Sequence, residues 1–281
     1  MPEYGREAMN VRGASRASFS ALAEQLAAAS ITSATVATRL GNELFAVTGL
    51  LDTEHGLRRA LSDPGKPAAE KAAVTSALLH GKVSGRTESL VVAAAESRWA
   101  ASGDMVDAIE QLAVEAMVIA GEAEDGLDDL EDGLFRFGRV VAAQPELRAA
   151  LASTSVPAEP KDHLLSTLLR GKVTPVTLRL ITQMVTHPRG RALPVALDMC
   201  ASIAARRREQ LIAVVRSAVD LTAAQQRRLT EALAATYGHR VHLNIVIDPA
   251  VIGGISVQIG DELIDATAAR RLAAVRRKLA G

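Results

Sequence analysis

Three sets of residues in this 281-residue chain have types that could do chemistry: Gly253-Gly254, the pair Asp261 and Asp265, and six histidines. A glycine pair can let backbone N–H groups cradle a phosphate, but the cradle needs a following helix N-terminus and usually a lysine. Gly253-Gly254 instead separates two strand-like segments, with no Gly-Lys-Ser or Gly-Lys-Thr behind it. Two carboxylates could divide acid and base roles, yet Asp261 has the setting of a turn residue that bonds its own backbone. Asp265 has that of an N-cap. The histidines, at 55, 80, 163, 187, 239 and 242, show no His-x-x-x-His spacing, so they spell out no metal-ligand set. His239 and His242 flank a strand on opposite sides. The single Cys200 lies in a helical stretch with Leu197 and Ile203, the setting of a buried thiol. The expectation is no catalytic residue, no metal and no cofactor.

The elements around those glycines are the clearest in the chain. Val241, Leu243, Ile245 and Ile247 alternate with the period of a strand. Asp248-Pro249 ends it, because proline cannot donate to a ladder. Ile255, Val257 and Ile259 alternate again, Gly260-Asp261 is a two-residue hairpin signal, and Leu263-Ile264 returns. Upstream, Leu211–Val219 reads as a strand and Thr222–Tyr237 as a helix ended by Gly238. Ala268–Leu279 reads as a closing helix. Residues 211–281 are therefore expected to form a small β-α-β-β-α domain.

Before it, the chain repeats itself at an offset of 90 residues. Leu44-Phe45 returns as Leu134-Phe135, and Leu57-Arg58-Arg59-Ala60-Leu61 as Leu147-Arg148-Ala149-Ala150-Leu151. Pro67 and Lys71 return as Pro157 and Lys161, and Leu78-Leu79-His80-Gly81-Lys82-Val83 as Leu168-Leu169-Arg170-Gly171-Lys172-Val173. An ungapped match of this kind marks a duplicated module. Val36, Leu40, Leu44, Val47 and Leu51 form one helical stripe, and Leu130, Leu134, Phe137 and Val141 form its counterpart. Pro67 and Pro157 suit a first helical turn, and Gly81 and Gly171 a helix end. Further helices are expected at Ser15–Ala29, Thr87–Ala101, Met105–Ala120, Thr177–His187 and Leu193–Arg208. The fold class is mainly α: helical bundles at 12–120 and 121–210, then the α/β domain. The copies share their stripes but not their other faces, where Gly49 meets Arg139 and His80 meets Arg170.

Composition narrows the function classes. Lys plus Arg equals Asp plus Glu at 32 each, which disfavours a duplex-binding protein needing a positive surplus. Aromatics at 2% leave few platforms for stacked bases. No stretch approaches the uninterrupted apolar length of a membrane span.

Asp248, Pro249, Ile252, Gly253, Gly254, Gly260, Asp261, Asp265 and Arg270 or Arg271 together resemble the C-terminal domain of the delta subunits of F-type ATP synthases, whose mitochondrial counterpart is the oligomycin-sensitivity-conferring protein. Val215–Thr222 also reads like the family's strand and helix start, and the resemblance spans residues 145–281. One departure is Ala266, where the family usually has a small hydroxyl residue; Thr267 follows it. The resemblance implies a six-helix bundle ahead of the α/β domain, so the first copy is extra. A period of 90 residues is too short for two complete bundles. Either Met105–Ala120 serves both, or one copy has lost a helix.

The implied role is a non-catalytic stator in the peripheral stalk, on the cytoplasmic face of a bacterial plasma membrane. There it would link the alpha/beta head to the membrane-anchored b subunits in a hetero-oligomer and resist rotary torque during ATP synthesis. The bundle would hold N-terminal segments of alpha subunits, and the α/β domain would engage b. By position, the groove candidates are Phe19, Leu22 and Leu26 with Leu90 and Val91 in the first copy. In the second they are Ile109 and Leu112 with Leu178 and Ile181, the copy expected to take the alpha segment. Core packing competes for each of these residues. The alternative function is a nucleic-acid-associated helical regulator.

Overall fold

The structure, a computed structural model, describes residues 13–153, 155–208, 211–237, 241–249, 251, 253–259 and 262–265. Leucine and alanine stripes wind into α1 (Ala14–Ala28), α2 (Ala34–Thr53), α3 (His55–Ser62), α4 (Ala68–Leu79), α5 (Gly85–Glu96) and α6 (Ser102–Glu122). The pattern repeats as α7 (Leu127–Ala143), α8 (Pro145–Ala152), α9 (Ala158–Leu169), α10 (Pro175–Thr186) and α11 (Leu193–Arg208). Helices α3, α4 and α5 begin and end 90 residues before α8, α9 and α10. The duplication is thus one of three-dimensional elements as well as of letters. Gly81 and Gly171 follow α4 and α9 with φ of 72° and 75°, a backbone that glycine adopts without strain.

Helix α6 resolves the shortage of helices between the copies. It runs unbroken for 21 residues and packs against α1, α2, α3 and α5, and also against α7 and α10. One helix therefore closes the first bundle and opens the second. Its circumference is apolar because neighbours lie on every side: Met105, Val106, Ile109, Leu112, Ala113, Val114, Met117 and Val118 are all buried. The bundles expected at 12–120 and 121–210 meet at this helix, one of the two arrangements the repeat length allowed. A single hydrophobic core runs from Leu22 to Ala204, and one compact unit ends at Ala205, inside the last turn of α11. Three other expectations shift. Val36 is 37% exposed, outside the stripe it was assigned to. Pro67 and Pro157 stand at the N-cap, one place before their helices. The short helices α3 and α8 were not distinguished by periodicity.

Polar groups join the two bundles inside that core. Glu110 of α6 is 0% exposed, and its Oε2 accepts hydrogen bonds from Arg189 Nη1 at 2.7 Å and from Arg191 Nη2. Both arginines lie between α10 and α11. Arg189 also pairs with Asp107 of α6 at 2.8 Å and with Asp52 of α2 at 3.4 Å. Burial pushes the Arg189 guanidinium down, but Glu110, Asp107 and Asp52 more than reverse this and hold it charged. Nearby, Arg179 of α10 donates from Nε to Asn42 Oδ1 of α2 at 2.6 Å. Its guanidinium lies 5.2 Å from the Phe45 ring centroid, within cation–π range. Cys200 of α11 is buried as expected, and burial, then the Glu110 charge, pushes its thiol up to about 12.

The second unit begins at Arg206. Its strands are β1 (Leu211–Ser217), β2 (Val241–Ile247), β3 (Ile255–Ile259) and β4 (Glu262–Asp265), with α12 (Ala223–Tyr237) after β1. Spatial order is β2-β1-β3-β4. Strand β1 runs parallel to β2 and antiparallel to β3, which pairs antiparallel with β4. Ala213, Val215, Val257 and Ile259 of the sheet and Leu233 of α12 form a separate core. Ile247 leaves the expected inward row and is 58% exposed.

Strands β2 and β3 are not neighbours, so their connection must pass the end of β1. The amide of Asp248 donates to the carbonyl of Ser217, the last residue of β1, at 2.8 Å. Pro249 follows in the turn, and Gly253 and Gly254 then adopt φ of 61° and 98° before β3. Asp265 is the last residue of β4, paired with Ser256. Ile252, Gly260, Asp261, Arg270, Arg271 and the closing helix Ala268–Leu279 lie outside the described residues.

Two predictions follow from these contacts. Glu110→Ala leaves two arginine charges without their shared carboxylate and should destabilise the helical unit by about 3–5 kcal/mol. A triple variant, Glu110→Leu with Arg189→Met and Arg191→Met, should recover most of that loss in urea denaturation. Gly254→Val forces a β-branched residue into left-handed φ and should cost the sheet unit about 1–3 kcal/mol. The exposed Arg228→Ala should stay within about 0.5 kcal/mol. Equal thermal melts of those last two variants would show Gly254 to be unstrained.

Candidate docking cleft

On the first bundle, α1, α4 and α5 border an open cleft of about 400 Å³. Gln25 of α1 and Ser76 of α4 face Gly85, Glu88, Ser89, Val92, Ala93 and Glu96 of α5. Gln25 Nε2 donates to Ser89 Oγ at 3.1 Å, joining α1 to α5. Glu88 and Glu96 give the lining its carboxylates, with His80 3.4 Å from Glu88. Val92 and Ala93 supply an apolar strip between them. Such a wall suits an amphipathic segment with a cation on its polar side.

The start of α5 is held firmly. Ser84 is its N-cap, with Oγ accepting from the amide of Thr87, which satisfies one of the free donors of the first turn. Glu43 of α2 then accepts from the Ser84 amide at 2.9 Å, from the Ser84 hydroxyl at 2.6 Å and from the Thr87 hydroxyl. Arg39 donates to its other oxygen at 2.7 Å. Partial burial pushes the Glu43 carboxyl up, but the donors at Ser84, Thr87 and Arg39 outweigh it and hold it at about 2. The equivalent residue in the second copy is Gly133, where an added Cβ would meet Thr177 Cγ2 at 2.8 Å. There Thr174 caps α10 without help, accepting from the Thr177 amide at 3.1 Å.

The groove residues expected on α1, α5, α6 and α10 do not line this cleft, which draws on α4 as well as α1 and α5. Leu22, Leu26, Leu90 and Val91 belong to the buried core, and Phe19 packs against it partly exposed. In the second copy, Ile109, Leu112 and Ile181 are likewise in the core, and Leu178 is half-buried. A side chain already covered by its own bundle does not line an open cleft, so core packing describes Leu22, Leu26, Leu90, Val91, Ile109, Leu112 and Ile181. Periodicity selects the inward face by construction, and the cleft uses the next face round. The signal that marks Ser89 is its mismatch with Arg179 across the repeat. Among the described residues, no group of three or more His, Cys, Asp or Glu side chains could hold a metal ion.

Comparison with known proteins adds relatives along nearly the whole chain. The profile of the ATP synthase delta (OSCP) subunit family matches residues 114–279, from within α6 to near the C-terminus. ATP synthase subunit delta of Streptomyces griseus is 47% identical over 96% of this chain and 100% of its own. That of Thermobifida fusca is 49% identical over 89% of this chain and 93% of its own, and that of Streptomyces avermitilis is 44% identical over 97% and 100%. These alignments include the first bundle, so the extra copy is common to this chain and its relatives.

The Glu43 contacts predict a pH effect. A carboxyl held below its unfolded pKa contributes stability that is full above about 4.5 and lost as pH falls through about 2. Glu43→Ala should therefore cost on the order of 2 kcal/mol at neutral pH. In denaturation series at decreasing pH, its deficit against the parent should shrink below about 4.5. A deficit constant from pH 7 to pH 3 would rule out the depressed carboxyl.

Proposed function

The chain belongs to the ATP synthase delta (OSCP) subunit family, and from that membership we propose that it is a stator: a non-catalytic subunit joining the alpha/beta head of an F-type ATP synthase to its membrane-anchored b subunits. The observation that carries this reading is the division of one chain into two bodies, each with its own apolar core. A part that must hold two partners against each other needs two platforms on one covalent thread. The helical unit offers an open cleft of about 400 Å³, with the Glu88 and Glu96 carboxylates beside Val92 and Ala93, for the N-terminal segment of an alpha subunit. The α/β unit is the platform assigned to b.

Resisting torque requires contacts that do not yield. Helices packed on a common core, tied by the Glu110 pairs, suit that demand better than mobile loops would. The position is peripheral, on the cytoplasmic face of a bacterial plasma membrane. No helix among the described residues is long and apolar enough to cross a membrane. In this reading, attachment runs through b. A balanced charge of 32 against 32 gives the nucleic-acid reading no support.

Reconstitution tests the assignment. Membranes stripped of this subunit and supplied with a catalytic head lacking it should regain proton-driven ATP synthesis when the purified chain is added. The chain alone should hydrolyse no ATP. Unchanged synthesis after addition, with head and membranes separately competent, would overturn the stator role.

A further inference from the structure

The repeat sets α2 and α7 in equivalent places, and both keep an aromatic ring at the same position, Phe45 and Phe135. Phe45 is 2% exposed and Phe135 is 64% exposed. Over Phe45 the guanidinium of Arg179 sits 5.2 Å from the ring centroid. Its Nε donates to Asn42 Oδ1, three residues back on α2, at 2.6 Å. A ring and an acceptor one helical turn apart thus hold an arginine that arrives from another helix. On α7 the same pair is Phe135 and Asp132. Among the described residues, the cations beside that pair come from α7 itself: Arg139 lies 5.9 Å from the Phe135 centroid, and Arg136 pairs with Asp132. Both contacts join residues four apart on an exposed helix, where they are worth little and cost little to release. The surroundings favour a cation further. Seven carboxylates stand between positions 122 and 132, whereas the equivalent stretch 32–42 holds none.

We propose that the outward face of α7, centred on Phe135 and Asp132, is a docking surface for a helix of another subunit, which lays an arginine over the Phe135 ring and bonds it to the Asp132 carboxylate. The occupant's chemistry is set by the first copy, where Arg179 fills the equivalent place. Putting a carboxylate where Asn42 has an amide oxygen makes the acceptor charged, which strengthens the bond and selects a cation. Arginine meets both demands better than lysine, because its planar guanidinium stacks on a ring while donating from its edge. In the first copy the arginine is supplied by the bundle that follows. The second copy is the last of the series, so its ring and carboxylate are left for a separate chain. This rests on the stator reading for the assembly in which the partner is sought.

Photo-crosslinking in the purified synthase tests it. With Phe135 replaced by p-benzoylphenylalanine, irradiation should join this chain to a helix of another subunit, within one turn of an arginine. Asp132→Lys should cut the yield of that adduct by roughly fivefold or more, and changing the mapped arginine to glutamate should restore it. Both positions are exposed, so thermal melts of the variants should match the parent. No adduct, an adduct with a second copy of this chain, or one with a segment lacking arginine would overturn the inference. A yield unmoved by Asp132→Lys would overturn it as well. A synthase that gives no adduct yet needs this chain for coupling leaves the stator role standing. An arginine-bearing adduct in a synthase that couples equally well without the chain does the reverse.

Discussion

A carboxylate with no exposed surface, set in the middle of an apolar helix, is the constraint around which the helical unit is arranged. Removing a charge from water is costly, and partners of opposite sign must lie within hydrogen-bond reach for it to persist. Glu110 meets that condition only if Arg189 and Arg191 arrive from the far end of the second bundle. Arg189 in turn reaches Asp52 at the end of α2. The α10–α11 connection, α6 and the first bundle are thus fixed by one charge set. Apolar packing alone tolerates sliding, but a buried ion set accepts a single register. For a part that carries torque, fixed register is the mechanical property of interest.

The same helix explains why two copies make one body. In the first copy α6 occupies the closing position, and in the second the opening one. Two six-helix bundles are built from α1 to α11 because the middle helix is counted twice. The cost of sharing is that α2, bound to α6 as a bundle member, also reaches α10. Loss of symmetry between the copies follows: Glu43 caps α5 on one side, and Gly133 makes room for Thr177 on the other. Other equivalent positions keep their residue and differ in surroundings: Phe45 is buried beneath Arg179, whereas Phe135 is 64% exposed.

Much of this was legible in the letters. The 90-residue offset, the stripes from Leu40 to Leu51 and from Leu130 to Val141, and the punctuation around Gly253-Gly254 each come from local rules of period and turn chemistry. What the letters concealed is long-range. Glu110 meets Arg189 and Arg191 across 79 and 81 residues, and nothing in the spacing of a lone glutamate among apolar neighbours names its partners. Strand patterns marked β1, β2 and β3 but not that β1 lies between the other two. The lining of the cleft at α1, α4 and α5 was hidden for a related reason. Stripes of Leu22, Leu26, Leu90 and Val91 report what a bundle hides, whereas Glu88, Ser89 and Glu96 report what it shows, and polar residues carry no period of their own.

The unbroken apolar girth of α6 also bears on how such a chain can change over generations. A domain joined by a linker can be lost in one genetic event, because both sides of the cut are already fit for water. Here a deletion ending ahead of Ser102 would strip α1, α2, α3 and α5 from α6 and bare part of its buried circumference, Ala113 and Met117 beside α2 included. The surviving bundle would present a hydrophobic strip where a free-standing one needs polar groups. Reversion to a single copy therefore calls for several surface replacements in α6 before the deletion becomes tolerable. Sharing the helix is thus a one-way step: the doubled form is easier to keep than to undo.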